Sequence, residues 1–285
     1  MSISPAEKNH ENGELQQKKQ FLETIRRGQE PLWNDPRRGF SIDPSDRNTV
    51  SSLQRESINQ NVPISHLLDD SSYNHETLRD ALITLVYEMN ELEVDPNMDP
   101  LKLAKQLGQV LPDLINNTLK QNQGYFPTLG GRLAASPLVL SLVGGALIQP
   151  SMIALASHSE RQYLDAWELT ACPICGRLPS VAVKEGSEAW RFRCSYCRAE
   201  YKMDVGKCPH CGSEGFDDKE FLLVGENQEY EVAACPECSR YYKIINTAKL
   251  GHPIPEGLED PYTEILDEIA HEKGLIRLDE AVTDE

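Results

Sequence analysis

The eight cysteines of the 285-residue chain are the residues whose type and spacing point most directly to chemistry. They form four Cys-x-x-Cys pairs, here called knuckles, separated by 18, 10 and 23 residues. Four thiolates from two such knuckles make a tetrahedral metal site. The sequence therefore predicts two metal sites, and all eight cysteines are candidate ligands. The candidate ligands are Cys172, Cys175, Cys194, Cys197, Cys208, Cys211, Cys235 and Cys238.

The residues next to the thiols agree with a metal site. In Cys172-Pro-Ile-Cys-Gly176 and Cys208-Pro-His-Cys-Gly212, proline follows the first thiol and glycine follows the second. Proline fixes the start of a tight turn, and glycine tolerates the positive φ that points backbone N–H groups at the sulfurs. Such donors steady a thiolate-rich centre. With four thiols available, we expect His210 to be a surface residue and not a ligand.

Two features of the metal sites stay open at this stage. Pairing the first knuckle with the second, and the third with the fourth, places an interval long enough for a hairpin inside each site. A crossed site, made by Cys194/Cys197 with Cys208/Cys211, would instead enclose the ten-residue interval. Tetrahedral sulfur sites suit either zinc or a single iron, so the cofactors are predicted as two metal ions, iron or zinc.

Other uses of paired cysteines fit less well. Structural disulfides need an oxidising compartment, and residues 1–30 are polar and charged with no secretory leader. Thioredoxin-type redox chemistry uses one Cys-x-x-Cys in a βαβ setting. We therefore expect metal-bound thiolates and not disulfides.

Charge argues against nucleic acid as a partner. The chain carries a net charge of −17. Residues 1–171 carry 15 Lys/Arg against 22 Asp/Glu, and residues 244–285 carry 3 against 11. Affinity for nucleic acid comes largely from basic residues that neutralise phosphates, and only Arg191, Arg193 and Arg198 cluster beside a knuckle. The acidic flanks would instead attract a basic segment of a protein partner.

A long apolar run raises the question of a membrane span. Residues 133–157 carry no formal charge, and a spanning helix needs about 20 apolar residues. The run contains Pro137, Gly144, Gly145 and Pro150, which predict that it breaks into pieces. We expect a buried helical hairpin in a soluble core and no membrane insertion.

Helical periodicity dominates before the first knuckle. Leucine and methionine side chains from Leu78 to Leu92 recur at intervals of 4, 3, 4 and 3, which predicts one apolar helix face. Asp99-Pro100 predicts a helix start, followed by an apolar face from Leu103 to Leu119. Residues 5–27 and 157–167 are also predicted helical, whereas residues 29–61 are predicted to form a loop-like segment.

After the first knuckle, short β-type runs predict a hairpin inside each pair of knuckles. A final helix is predicted to begin at Asp260 and Pro261 and to end at Gly274. Its apolar face would contain Ile265 and Ile269. The fold class expected is an all-α N-terminal domain, two tandem zinc-ribbon four-cysteine modules, and a C-terminal helix. The predicted segments are a charged helix and loop-like arm (1–61), a helical domain (62–170), a first module (171–204), a second module (205–247), and a linker, helix and acidic tail (248–285).

Catalytic motifs are missing from the sequence. It contains no Walker-type loop, dinucleotide fingerprint, His-Glu-x-x-His or nucleophile elbow. A metal bound by four thiolates has no open coordination position for Lewis-acid chemistry. The protein is therefore predicted not to be an enzyme, and it has no predicted catalytic residue.

The ordered knuckle sequences resemble the FdhE family of formate dehydrogenase accessory proteins over about residues 165–277. The similar stretches are Trp167 with Cys172–Pro179, Arg191–Tyr201, Lys207–Gly212, Cys235–Ile244 and Leu266–Gly274. The chain departs from the family at Glu259-Asp260-Pro-Tyr, where the family has an Asp-Asp-Leu-Ala-like stretch.

The resemblance implies a cytoplasmic assembly chaperone that binds the molybdenum- or tungsten-containing catalytic subunit of formate dehydrogenase. It also implies rubredoxin-like modules with iron, held by the eight cysteines. Two alternatives remain: an iron redox or electron-transfer protein, and a nucleic-acid-binding zinc-ribbon protein.

Overall fold

The structure is a computed structural model that describes residues 20–33, 39–91, 98–185, 189–202, 206–214, 220–224, 229–251, 253–254 and 257–280. The chain divides into two units. The first spans Met1–Leu53 and Ser65–His158, and the second spans Gln54–Ile64 and Ser159–Glu285. The described part of the first unit is helical, and the second holds the β-strands and the cysteines.

The helices before the first knuckle confirm the expected helical N-terminal region. Residues 20–28 are helical, and short turns follow at Glu30–Trp33, Ile64–Leu67 and Asp70–Ser72. The longer helices are α1 (Arg47–Gln60), α2 (His75–Glu91), α3 (Pro100–Gln109), α4 (Leu111–Leu119), α5 (Tyr125–Leu133), α6 (Pro137–Ser157) and α7 (Arg161–Ala166).

Helix α2 buries the face that its periodicity predicts. Leu78, Leu82, Leu85 and Met89 are all inaccessible to solvent, whereas Leu92 lies outside the described residues. Residues on this face recur three and four apart because that spacing matches the 3.6-residue turn of an α-helix.

The apolar face from Leu103 to Leu119 lies on two helices and not on one. The Asp99 carboxylate accepts a hydrogen bond from the Lys102 N–H at 3.0 Å, which confirms the predicted start of α3. Helix α3 ends at Gln109, and α4 begins at Leu111 with Pro112 in its first turn. Proline is tolerated there because the first-turn N–H groups have no partner within a helix. The apolar face is therefore divided between two successive helices.

The prediction of a broken helical hairpin at residues 133–157 is wrong: Pro137–Ser157 is one continuous helix. Pro150 lacks the N–H that would bond to the carbonyl oxygen of Ala146. The buried side chain of Gln29 replaces that donor, with its Nε2 atom 2.8 Å from the Ala146 oxygen. A tertiary contact thus satisfies the backbone group that a proline leaves free, and the helix continues.

The glycines of α6 allow close packing. A Cβ atom on Gly144 would lie 2.5 Å from Thr118 Oγ1 and 3.2 Å from Leu114 Cδ1, both on α4. Glycine therefore lets the two helices approach each other closely. By length and composition α6 is able to cross a membrane, but 67% of its most apolar window is buried inside the protein, as in the core helix of a soluble protein.

The loop-like segment predicted for residues 29–61 is wrong in its second half. Arg47–Gln60 forms α1, whose 14 residues contain neither proline nor glycine. The Asp46 carboxylate lies 2.5 Å from Thr49 Oγ1 and 3.1 Å from the Asn48 N–H at the start of the helix. The concentration of proline before Asp46 masked this start in the sequence.

The second unit contains a seven-stranded sheet, with β3-β2-β1-β6-β5-β4 in order and β7 paired to β6. Its strands are β1 (Val181–Glu185), β2 (Ala189–Arg193), β3 (Glu200–Lys202), β4 (Glu220–Val224), β5 (Tyr230–Ala234), β6 (Arg240–Asn246) and β7 (Ile276–Arg277).

Each pair of knuckles encloses an antiparallel hairpin, as expected. The hairpins are β1–β2 between the first two knuckles and β4–β5 between the last two. The sequence did not predict that the hairpins share one sheet. Strand β6 pairs parallel to β1, with Val181 opposite Lys243 and Lys184 opposite Asn246. All seven residues of β6 are buried, because this strand lies in the middle of the sheet.

The final helix, α8, spans Glu264–Glu272 after a short turn at Glu259–Tyr262. The predicted cap at Asp260 and the predicted apolar face at Ile265 and Ile269 are wrong. Ile265 is exposed, whereas Leu266 and Ala270 are buried against Tyr241. The error arose because Asp267, a charged residue, belongs to the buried face. Gly274, at φ +75°, ends the helix as predicted.

A buried ion cluster fixes this end of the second unit. Lys243, only 1% exposed, places its Nζ atom 2.5 Å from an Asp260 oxygen and 2.8 Å from an Asp267 oxygen. Arg277 contacts the same two carboxylates at 3.0 and 3.2 Å. The Tyr241 hydroxyl donates to Asp267 at 2.7 Å. Strand β6, the turn before α8 and β7 are therefore joined by charges that compensate one another.

Candidate metal centres

The eight cysteine sulfurs lie in two groups of four. Within each group all sulfurs are within 4.8 Å of one another. The first group combines the first and second knuckles, and the second group combines the third and fourth. This is the pairing assumed from the sequence, and the crossed arrangement is not formed. The groups are Cys172, Cys175, Cys194 and Cys197 (the first site) and Cys208, Cys211, Cys235 and Cys238 (the second site).

Sulfur separations fit tetrahedral metal coordination. In the first site, Cys172 Sγ lies 3.4 Å from Cys197 Sγ, and Cys175 Sγ lies 3.4 Å from Cys194 Sγ. The corresponding separations in the second site are 3.7 and 3.8 Å. A tetrahedron with metal–sulfur bonds of about 2.3 Å has edges of about 3.8 Å. A disulfide would require about 2.05 Å, so the thiols are free.

All four knuckles adopt the same backbone turn. In the first, the Gly176 N–H donates to the Cys172 carbonyl at 2.8 Å, and the Cys172 N–H donates to the Arg177 carbonyl at 2.8 Å. The same two bonds recur at the other three knuckles, at 2.8 to 3.0 Å. These backbone hydrogen bonds thus give each pair of sulfurs the same local geometry.

The residue after the second thiol has a positive φ in every knuckle. Gly176 and Gly212 occupy this position at φ +75° and +72°, as the sequence predicts. Arg198 and Ser239 occupy it in the other two knuckles, at φ +66° and +55°. A side chain at these angles costs about 1 to 2 kcal/mol, so the knuckle turn is imposed even where glycine is missing.

Backbone donors also point at the sulfurs, as expected for a thiolate site. The His210 N–H lies 3.4 Å from Cys208 Sγ. Burial raises the pKa of Cys235, but the Ser213 hydroxyl and the backbone N–H groups of Cys238 and Glu237 together lower it. The imidazole of His210 is exposed, consistent with its predicted position outside the ligand set.

The first site is enclosed by protein. Its four cysteines are at most 4% exposed. The Pro173 carbonyl within the first knuckle accepts hydrogen bonds from the Tyr163 hydroxyl at 3.0 Å and from the Ile64 N–H at 2.9 Å. The sequence placed Ile64 in the helical domain, far from the cysteines. The end of α1 and the residues after it therefore support the first knuckle, a role with no local sequence signal.

Burial makes four simultaneous thiolates unfavourable without a cation. It raises the pKa of Cys172 and of Cys197 well above the ordinary value. Hydrogen bonds from the three other cysteines lower the pKa of Cys194. The site alone thus favours a shared negative charge, and a bound divalent cation would stabilise all four thiolates.

The second site is open to solvent on one side. Cys211 is exposed and Cys238 is half-buried, whereas Cys208 and Cys235 are buried. The Ser213 hydroxyl lies 3.2 Å from Cys211 Sγ. This contact, together with the Ser213 N–H and the thiols of Cys208 and Cys238, lowers the pKa of Cys211 to about 6. The two sites therefore offer the same ligands in different surroundings.

The residues present fit a four-thiolate metal site at both positions. The structure brings together all eight cysteines that the sequence singled out; their ligation of metal stays a prediction. A bound zinc would supply structural cross-linking, and a bound iron would add one-electron chemistry. Sequence reasoning missed two side chains at the sites, Arg177 over the Tyr196 ring and Ser213 beside Cys211.

Curated relatives match part of the chain. An FdhE homologue from Aquifex aeolicus is 32% identical over 136 residues, which are 46% of this chain and 47% of the relative. An FdhE homologue from Haemophilus influenzae is 30% identical over 121 residues, or 41% and 39% of the two chains. The FdhE protein of Escherichia coli is 28% identical over 116 residues, or 37% and 35%. The matches thus span about half of the relatives' lengths or less, and no protein-family model matches the chain.

A solved structure matches over a longer stretch. The crystal structure of the FdhE protein from Pseudomonas aeruginosa aligns with a TM-score of 0.56 at 20% identity, and the alignment covers 90% of this chain and 84% of that one. This similarity establishes the fold.

The fold and the sites define a protein with a helical unit and tandem four-cysteine sites on a small sheet. Together, the curated relatives and the crystal structure support the resemblance to the FdhE family that the ordered knuckle sequences indicated.

Proposed function

We propose that this protein is a cytoplasmic accessory protein that binds the catalytic subunit of formate dehydrogenase during assembly, and that it carries two metal ions. The family provides the link to formate dehydrogenase. The single structural observation that supports the proposal is the pair of four-cysteine sites, whose ligands leave no open position for a substrate. Such sites stabilise the fold around a binding surface, and they lack the open coordination position that metal-dependent hydrolysis requires.

The acidic regions of the chain support recognition of a basic segment on the partner. Net charges of −7 over residues 1–171 and −8 over residues 244–285 flank the cysteine segment. We propose that these acidic regions attract a basic stretch of the catalytic subunit, such as a twin-arginine export signal. Electrostatic attraction of this kind accelerates association and weakens with salt.

The decisive experiment is purification of the tagged full chain from its native host, followed by identification of co-purifying proteins. We expect enrichment of the molybdenum- or tungsten-containing catalytic subunit over an untagged control. Recovery of other proteins without this subunit would contradict the proposal.

The charge contribution is tested with the purified pair. Deletion of the signal segment from the catalytic subunit, or an increase in salt, should weaken binding measurably. Binding that is insensitive to both would reject the export signal as the recognised segment and leave the rest of the proposal standing.

Metal identity is a separate part of the proposal. The sites suit iron or zinc, and the family resemblance favours iron. Metal analysis of protein purified without added metal should give about two ions per chain. Iron would produce a reddish protein with a visible charge-transfer band, whereas zinc would leave it colourless and would reject electron transfer as its function.

A further inference from the structure

The two cysteine sites place different demands on their surroundings. Four thiolates and one divalent ion carry a net charge of −2. At the second site, the exposed Cys211 lets water solvate part of this charge. At the first site all four thiols are buried, and a buried net charge is costly without a nearby opposite charge.

Arg177 provides an opposite charge at the first site. It directly follows the first knuckle, and its guanidinium carbon lies 4.0 Å from the centre of the Tyr196 ring. Tyr196 lies between the two thiols of the second knuckle. The guanidinium is thus held between the two knuckles of one site by a cation–π contact.

The surroundings of the guanidinium indicate a role directed at the thiolates. Among the described residues, no hydrogen-bond partner exists for its buried Nε atom. A structural arginine normally satisfies its donors with carbonyl or carboxylate oxygens, as Arg240 does with the carbonyls of residues 277, 278 and 280.

The second site has a different residue at the corresponding position. Five residues after its first cysteine, the third knuckle has Ser213 where the first knuckle has Arg177. In the fourth knuckle this residue is Arg240, whose Nη1 atom is engaged by the carbonyls near the C-terminal strand. The first site therefore has Arg177 at this position, whereas the second site has a hydroxyl group and an arginine whose Nη1 atom is already engaged by carbonyls.

We propose that Arg177 is the counter-cation of the first site and that this site therefore retains its metal ion, while the second site exchanges its metal ion with solvent. The inference rests on the proposal that both cysteine sets bind metal. The ion at the first site would then maintain the fold, and the occupancy of the second site would vary with the supply of metal.

Metal release from the zinc-loaded full chain tests the proposal. A chromogenic chelator should extract one zinc quickly and the second slowly. Cys211→Ser should remove the fast phase. Arg177→Met should accelerate the slow phase by about tenfold or more, the scale of one partly buried charge interaction, and leave the fast phase unchanged.

Two further variants separate charge from packing. Arg177→Lys keeps the positive charge and should restore most of the slow release. Arg191→Met is the matched control, because Arg191 pairs with Asp165 and its loss should leave both phases unchanged. If Arg177→Met does not fold, Arg177→Gln replaces it, and the wild-type phases remain a test in themselves.

Several results would overturn the inference. A single release phase for the two zinc ions of the wild type would contradict unequal sites. Equal acceleration of both phases in Arg177→Met, or no rescue by lysine, would assign Arg177 a general packing role. Protein that binds no zinc would instead reject the metal sites themselves, so the two failures are distinguishable.

Discussion

At the level of single residues, the knuckle turn imposes a backbone angle on whichever side chain follows the second thiol. Gly176 and Gly212 adopt this angle freely, whereas Arg198 and Ser239 adopt it at a cost. Arg198 has contacts of its own, so its side chain contributes beyond the turn. Ser239 is exposed, and its backbone angle is the main constraint on it.

Ser239→Gly should therefore stabilise the metal-loaded protein by about 1 kcal/mol, because glycine relieves the strain at φ +55°. The measurement is the free energy of unfolding in denaturant at a fixed metal concentration. Gly212→Ala is the matched control: its φ is +72° and nothing lies within 4 Å of the added Cβ. It should lose about 1 kcal/mol through backbone strain alone. Equal stability of all three proteins would refute this account.

The buried Lys243 gives a second prediction at this scale. Lys243→Met should destabilise the protein by about 3 kcal/mol or more, because Asp260 and Asp267 lose a buried cation. Denaturant unfolding provides the value. The double variant Lys243→Met/Asp267→Leu should recover part of the loss, since it leaves Arg277 with one carboxylate of this pair, Asp260, to compensate instead of two. Lys249→Met, at an exposed position, is the control and should be neutral. A double variant less stable than Lys243→Met would argue against the charge explanation.

At the level of elements, α6 shows how a tertiary contact overrides a local helix breaker. Its internal Pro150 leaves the Ala146 carbonyl without a backbone donor, and the Gln29 side chain, 2% exposed, donates a hydrogen bond to it. Gln29 also bonds to Gln149 Oε1 at 2.9 Å. Helix α6 therefore depends on a residue more than a hundred positions away in sequence.

Gln29→Leu should cost about 1 to 3 kcal/mol, the usual loss for a buried polar group without a partner. In a Pro150→Ala background the loss should be smaller, because the substituted alanine supplies its own N–H to the Ala146 carbonyl. A double-mutant cycle in denaturant unfolding measures this coupling. Strict additivity of the two changes would show that Gln29 acts through other contacts.

At the level of the whole molecule, the two units are stabilised by different means. The first unit has an apolar helical core that includes Leu82, Leu114 and Leu147. The second unit has short strands and two cysteine sites, and small β-domains of this kind rely on metal for much of their folding free energy.

Removal of both metals should therefore unfold the second unit and leave the first largely intact. We expect far-UV circular dichroism to retain the helical signal after chelation, while limited proteolysis cuts within residues 159–280. Chelator preloaded with metal is the control and should have no effect. Simultaneous loss of the helical signal and of protease resistance in the first unit would contradict separate stabilisation.

The sequence by itself determined the features that depend on neighbours along the chain. The buried face of α2, the Asp99 cap, the glycine turns at Gly176 and Gly212, and the positions of the two hairpins all follow from local spacing and residue type. The candidate ligands followed in the same way, because only cysteine supplies thiolates and its spacing is specific.

Only the tertiary structure decided the features that depend on distant partners. The continuity of α6 required Gln29, and the buried face of α8 required the charges of Lys243 and Arg277 to accept Asp267. The parallel pairing of β1 with β6 joined two hairpins that looked independent. The same holds for the cysteines: sequence spacing gave two equivalent sites, and the three-dimensional environment made them unequal, since burial and the position of Arg177 are properties of the fold.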